Sequence, residues 1–201
     1  SIYILYFHGQ LDILPIFFLL SSIYFLGIRK IILSALGLSL AISAKLSMII
    51  ALPFLLVYIN RNQRLEKEVS TFLGYLIIAS GILIIPFLRF KEFQEMVFLS
   101  PELEKIYSVY LNYGSEVKLF LLPTIYITII YLIWRLKRIT FEMFMMSVGL
   151  GFFILILLLP PSPGWFLWII PFLVFYQLKF PSDYIVVSLP LYLTYLVFYF
   201  L

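Results

Sequence analysis

The sequence has no cysteine and a single histidine, and only 12% of its 201 residues are charged. The absence of cysteine excludes a disulfide-stapled secreted scaffold. One histidine without cysteine cannot supply the ligand spacing of a zinc site. Neither a Gly-x-x-x-x-Gly-Lys phosphate loop nor a Gly-x-Gly-x-x-Gly nucleotide fingerprint occurs, and Gly149-Leu-Gly151 reads as small-residue helix packing. Disorder is excluded as well, because disordered chains are poor in aromatics and rich in charge, whereas 19% of this chain is aromatic. The net charge of +4 is spread along separate loops and does not point to nucleic acid.

What remains is a chain that is 64% hydrophobic. A water-soluble fold of this size cannot hide that much apolar side chain in one core. The composition therefore predicts an all-α, polytopic transmembrane helix bundle embedded in the lipid bilayer, as one domain over residues 1–201. The opening run Ser1–Phe7 reads as the last turns of a helix that begins upstream, and the run Leu191–Leu201 stops within an apolar stretch. Both ends suggest a fragment of a longer protein.

Stretches free of charge mark the expected spans. They are Ile13–Ile28, Ile31–Ala44, Leu46–Ile59, Val69–Leu88, Leu119–Trp134, Met143–Leu178 and Tyr184–Leu201. Pro160-Pro-Ser-Pro-Gly164 divides the Met143 stretch into two helices. The region Ile31–Ile59 reads either as one helix with Lys45 buried or as two short helices with Lys45 at the turn. The positive-inside rule favours two. Nine basic residues and four acids then share one side, net +5, and the other side carries five basic residues and six acids, net −1. That arrangement gives about eight membrane segments, with the arginine- and lysine-rich loops facing the cytoplasm. The opposite face carries His8–Asp12, Lys45, the loop 89–118 and Pro160–Trp165. Within loop 89–118, Ser100-Pro101-Glu102 reads as a helix start. Leu103, Ile106, Tyr107, Tyr110 and Leu111 recur at three and four residues, which predicts an amphipathic surface helix ending at Asn112-Tyr-Gly114.

Polar groups at membrane depth are expensive and invite a functional reading. His8-Gly-Gln10-Leu-Asp12 is the densest polar cluster, offering donors, acceptors and a carboxylate to the hydroxyls of a sugar or the oxygens of a phosphate. The bland alternative is that Asp12 caps the following helix. Lys45 can meet a phosphate as a point charge, or it can snorkel to the interface. Trp165 and Trp168 are either site residues or members of the interfacial aromatic belt. Arg89, Lys91, Glu92 and Glu95 read as a solvated edge.

His8-Gly-Gln-Leu-Asp12, the run Gly37-x-Ser-x-Ala-Ile-Ser-Ala-Lys45 with Pro53, and Ser162-Pro163-Gly-Trp165 with Trp168 and Pro171 together resemble the GT-C superfamily of membrane glycosyltransferases. The nearest likeness is to polyprenyl-phosphate-dependent prokaryotic mannosyltransferases. In the endoplasmic-reticulum glucosyltransferase branch a similar loop reads His-Phe-Gln-Tyr-Asn; His8 and Gln10 match it, and Gly9, Leu11 and Asp12 differ. The resemblance implies transfer of a hexose from a polyprenyl-phosphate carrier to a glycan or lipid-linked acceptor on the extracytoplasmic face of a plasma or endoplasmic-reticulum membrane. It implies substrate contacts from His8, Gln10, Asp12, Lys45 and Trp165. Asp12 is the best acid present and is expected to bind substrate or orient the site rather than act as base, since the superfamily's usual base would lie upstream of Ser1. Some branches use a divalent cation, for which Asp12 alone is a poor ligand set. A transporter or flippase of lipid-linked glycans, or a non-catalytic membrane subunit, are the competing readings. A transporter should show inverted repeats and midplane charges, and neither is seen in the sequence.

Overall fold

A computed structural model describes residues 11–98, 104–114, 117–159, 163–181, 188–189 and 192–193. These residues are predominantly helical. Helix α1 is Ile13–Gly27 and α2 is Ile31–Ala44; a 3-10 turn over Leu46–Ala51 leads into α3, Leu52–Arg61. Helix α4 is Val69–Ile84, α5 is Lys91–Phe98, and a two-stranded hairpin pairs β1, Tyr110–Tyr113, with β2, Val117–Phe120. Helices α6, Leu121–Trp134, α7, Phe141–Leu158, and α8, Phe166–Lys179, complete the described elements. With its flanking 3-10 turns α4 runs continuously over Glu66–Phe87. That stretch and α7 are the two described helices long and apolar enough to cross a membrane. The other apolar helices have 10–17 residues.

Where they are described, the apolar runs become helices close to their expected bounds, except that Leu119 and Phe120 fall in β2. The expected span Tyr184–Leu201 lies almost wholly outside the described residues. The breaks have local causes. The chain leaves α2 at Lys45, whose backbone is extended (φ −157°, ψ 116°). The region Ile31–Ile59 is therefore two arms with Lys45 between them, not one helix. The second arm differs from the expected single span Leu46–Ile59: its first six residues are 3-10, and α-helix begins only beside Pro53, in the first helical turn where proline is tolerated. Helix α7 starts at Phe141 because the Thr140 hydroxyl accepts a hydrogen bond from the Met143 N–H at 3.2 Å. Between α1 and α2 the Lys30 N–H bonds the Phe25 carbonyl and the Arg29 N–H bonds the Leu26 carbonyl. This is a Schellman closure, with Arg29 at the left-handed position (φ 61°) where glycine is usual.

The amphipathic helix expected over Leu103–Leu111 is corrected. Its proposed start, Ser100-Pro101-Glu102, lies outside the described residues. From Lys105 the chain makes a single 3-10 turn, and Tyr110–Tyr113 then enters the hairpin. Tyr110 faces Phe120 across the ladder, and Gly114 (φ 74°) supplies the turn. The β-branched and aromatic residues Val109, Tyr110, Val117 and Phe120 favour a strand once a partner lies close. The three-and-four spacing that suggested a helix is partly satisfied by rings instead: Tyr107 and Tyr110 both contact Phe120. Earlier in this loop, α5 is an eight-residue α-helix.

Small residues govern how closely the helices approach. The Ser22 hydroxyl of α1 donates to the Ser34 carbonyl of α2 at 2.7 Å, and the Ser39 hydroxyl reaches the Leu76 carbonyl of α4 at 3.2 Å. A Cβ on Gly37 would lie 3.0 Å from the Ser22 backbone nitrogen. On α7, a Cβ on Gly149 would meet Phe172 at 2.7 Å and one on Gly151 would meet Phe54 at 2.6 Å. Thus α7 packs between α8 and α3 through its two glycines, the arrangement expected of Gly149-Leu-Gly151. Gly151→Ala should lower stability by about 1–3 kcal/mol through overpacking. Gly74→Ala, where nothing lies within 4 Å, should be neutral or slightly stabilising. Thermal unfolding of the detergent-solubilised variants reads both.

Candidate functional site

Helices α1 and α2 have 15 and 14 residues. Equal arms at 1.5 Å per residue return the chain to its starting level. The residue before α1 therefore comes back beside the residue after α2, and these are Asp12 and Lys45. The Lys45 ammonium Nζ donates to Asp12 Oδ1 at 2.5 Å. Both charges also suit the helix ends they occupy, an acid at an N-terminus and a cation at a C-terminus. The Asp12 side chain is 7% exposed and that of Lys45 29%. This is a largely dehydrated ion pair in an apolar bundle.

The geometry decides two alternatives. Asp12 does not cap α1: its backbone is helical (φ −61°, ψ −11°) and its side chain makes no cap hydrogen bond. Lys45 does not simply snorkel away, because its ammonium is held by Asp12 and lies 4.8 Å from the centre of the Trp168 ring. Trp168 in turn stacks on Trp165, with centroids 5.2 Å apart and planes 19° from parallel. Trp165 is 4% exposed and Trp168 fully buried. Neither is a lipid-facing belt residue. Among the described residues neither buried indole N–H has a hydrogen-bond partner. Two such orphans side by side are uncommon in a well-satisfied interior.

Three of the expected site residues, Asp12, Lys45 and Trp165, thus gather with Trp168 at one end of the α1–α2 hairpin. His8, Gln10 and Ser162 lie outside the described residues. Of the Gly37 to Lys45 run, Gly37 and Ser39 serve helix packing, and Lys45 alone reaches the site. Trp168 is the addition that sequence reasoning did not place beside Lys45. Its spacing three residues from Trp165, one helical turn along, was the available signal.

Charged residues at the start of loop 89–118 make only surface contacts. Lys91 pairs with Glu95 at 3.4 Å on an exposed surface, and Arg89 lies over Phe90. Those residues behave as a solvated edge.

The opposite end of the bundle collects basic loops. Arg61 donates to the Trp134 carbonyl at 2.7 Å and lies over its ring, and Lys179 pairs with Glu142 at 2.9 Å. Phe141 joins these loops by contacting Tyr58 and the Gly27 region. Arg29, Lys30 and Arg64 line one groove between the α1–α2 turn and the start of α4. Arg29, Lys30, Arg61, Arg64 and Lys179 thus lie at this end.

The described residues do not provide a divalent-cation site. Among them no three His, Asp or Glu side chains converge, and Asp12, the carboxylate at the site, is already paired with Lys45. What the arrangement can offer is an ammonium with two further N–H donors, fixed by a carboxylate and an aromatic face, and two unsatisfied indole donors. Anionic or hydroxyl-rich ligands fit that inventory. No protein-family model matches the chain, and neither curated proteins nor solved structures give a match.

The ion pair should be visible in stability. Lys45→Ala leaves the Asp12 carboxylate buried and unpaired and should cost about 2–4 kcal/mol. The double variant Asp12→Asn/Lys45→Met, which removes both charges, should recover most of that loss. Thermal unfolding in one detergent compares the three proteins.

Proposed function

We propose that this chain forms part of an integral-membrane glycosyltransferase. It would move a mannose-like hexose from a polyprenyl-phosphate carrier to a glycan or lipid-linked acceptor. The observation that carries the reading is the Asp12–Lys45 pair held against stacked Trp168 and Trp165 with their indole donors free. An ionic group kept in apolar surroundings at this cost calls for a function. The likeness of the surrounding motifs to the GT-C superfamily supplies the reaction.

In this mechanism the prenyl chain lies along apolar helix faces and the donor phosphate meets Lys45. Asp12 positions the ammonium: one N–H is held by the carboxylate, and the remaining two are available to phosphate oxygens. The indole N–H groups of Trp165 and Trp168 take sugar hydroxyls or a phosphate oxygen, together with His8 and Gln10. The acceptor hydroxyl attacks the anomeric carbon as the bond from that carbon to the phosphate oxygen breaks. Its proton passes to a carboxylate base. Asp12, already bonded to Lys45, is better suited to positioning than to proton abstraction.

The topology that accompanies this reading has about eight segments, with the Lys45 end extracytoplasmic and the basic end cytoplasmic. The shortness of several helices is met by tilt, local bilayer thinning or shielding by neighbouring segments.

The natural absence of cysteine permits a direct topology test. Ser43→Cys and Arg135→Cys, each alone, should label oppositely with a membrane-impermeant maleimide applied to intact cells. Equal labelling would remove the shared extracytoplasmic site. Transfer is tested in the full-length protein with a polyprenyl-phosphate-hexose donor. Asp12→Asn/Lys45→Met should fold and lose about 100-fold or more in transfer rate, as expected for losing a stabiliser of leaving-group charge. Lys45→Arg should retain part of it. Normal transfer by the folded double variant would favour a transporter or subunit.

A further inference from the structure

The groove at the opposite end of the bundle belongs to no part of the mechanism above. It has a volume of about 440 Å³ and lies between the α1–α2 turn and the first turn of α4. Arg29, Lys30 and Arg64 line it, with Glu68 as the acid in its lining, and among the described residues no salt bridge engages any of the three cations. The net charge of its lining is therefore positive. Its floor is apolar, formed by Ile31, Ile32, Leu33 and Leu65.

The surface below the groove is equally specific. On α2, Ile32, Leu36 and Leu40 follow one another at four-residue steps and are all exposed. On α4 a second stripe begins at Thr71, which lines the groove, and continues through the exposed Tyr75, Ile78 and Ile82. The two helices pack directly against each other through Ser39 and Leu76. A cationic pocket thus sits at the head of two exposed apolar stripes, each running two or more helical turns, at least about 11 Å, along neighbouring helices. A free phosphate would use only the pocket. A ligand with an anionic head and long apolar tails uses both.

We propose that this groove binds the headgroup phosphate of an anionic phospholipid, with its acyl chains along the α2 and α4 stripes. Charge complementarity selects the head, because clustered lysine and arginine at a membrane surface attract anionic lipids. The apolar stripes select a lipid over a soluble anion. The Arg29 backbone sharpens the case. It holds the left-handed position of a Schellman closure where glycine is the low-strain residue, and its guanidinium is what glycine would not supply to the groove. The inference requires a membrane-embedded chain but not glycosyl transfer.

Native mass spectrometry tests it on the full-length protein, released from nanodiscs of phosphatidylglycerol and phosphatidylcholine in equal amounts. Phosphatidylglycerol should remain bound in preference to phosphatidylcholine. Lys30→Gln and Arg64→Gln should each weaken retention about fivefold, and Lys91→Gln, exposed and remote, should not. Arg29→Gly is the decisive variant. It should raise the unfolding temperature by relieving the backbone while weakening retention, a pair of opposite signs that misfolding cannot produce. Equal retention of the two lipids, or unchanged retention in the groove variants, would overturn the proposal. So would full competition by millimolar inorganic phosphate, which would identify a simple anion site. Loss of transfer in Lys45 variants leaves this result untouched, so the two readings fail separately.

Discussion

The structure turns on one ion pair. Moving a carboxylate and an ammonium out of water costs several kcal/mol for each ion, and only close approach with good geometry repays it. Asp12 and Lys45 meet that condition because two helices of nearly equal length deliver them to the same level from opposite directions. The pair also explains why the chain breaks at Lys45. Continuing the helix through this residue would carry the ammonium along the helix axis and away from the carboxylate. The aromatic face of Trp168 adds a second, non-hydrogen-bonding partner that tolerates partial dehydration of the cation. Once the ends of α1 and α2 are fixed in this way, Ser22 and Ser34 face each other along the hairpin, and their hydroxyls bridge it.

Much of the remaining assembly rests on the absence of side-chain bulk. In an apolar bundle with many exposed apolar side chains, the contrast in polarity between inside and outside is weak. Helix association then depends on close packing and on a few interhelical hydrogen bonds. Gly37 against Ser22, Gly149 against Phe172 and Gly151 against Phe54 allow approaches that a single methyl group would obstruct. The aromatic residues fill what the glycines leave open: Phe152 packs on both Trp168 and Phe172. The position of the candidate site therefore depends on α7, which carries no charged residue toward it. α7 sets where α8 lies, and α8 carries Trp168 to Lys45.

How much of this was legible in the sequence differs between levels. Helix positions followed from apolar runs and charge, because those signals are local: Ile31–Ala44 coincides with its expected bounds, and the proline-rich break before Trp165 separates two helices as anticipated. The hairpin at Tyr110–Phe120 was not legible. The periodicity of its first strand also suits a helix, and the partner strand that decides the matter lies beyond Gly114. Asp12, Lys45 and Trp165 were each conspicuous as polar or amphipathic groups in apolar surroundings. Their convergence was not, since it depends on the arm lengths of one hairpin and on how α8 docks against α7. Trp168 was conspicuous only as an aromatic anchor, and its role beside a cation needed the packed structure.

The two ends of the bundle obey different electrostatic rules, and that difference bears on what each can do. At the Lys45 end one cation is matched by one buried carboxylate, so an incoming anion must share the ammonium with Asp12. On the proposed reading, such a site holds a charged group and releases it. At the other end Arg29, Lys30 and Arg64 outnumber Glu68 and stand in no ion pair among the described residues. An anion arriving there displaces only water, and its departure leaves like charges facing one another. That end suits retention. A chain with so little charge thus carries one balanced cation at one end and unbalanced cations at the other, a difference that the proposed donor site and the proposed lipid site would each use.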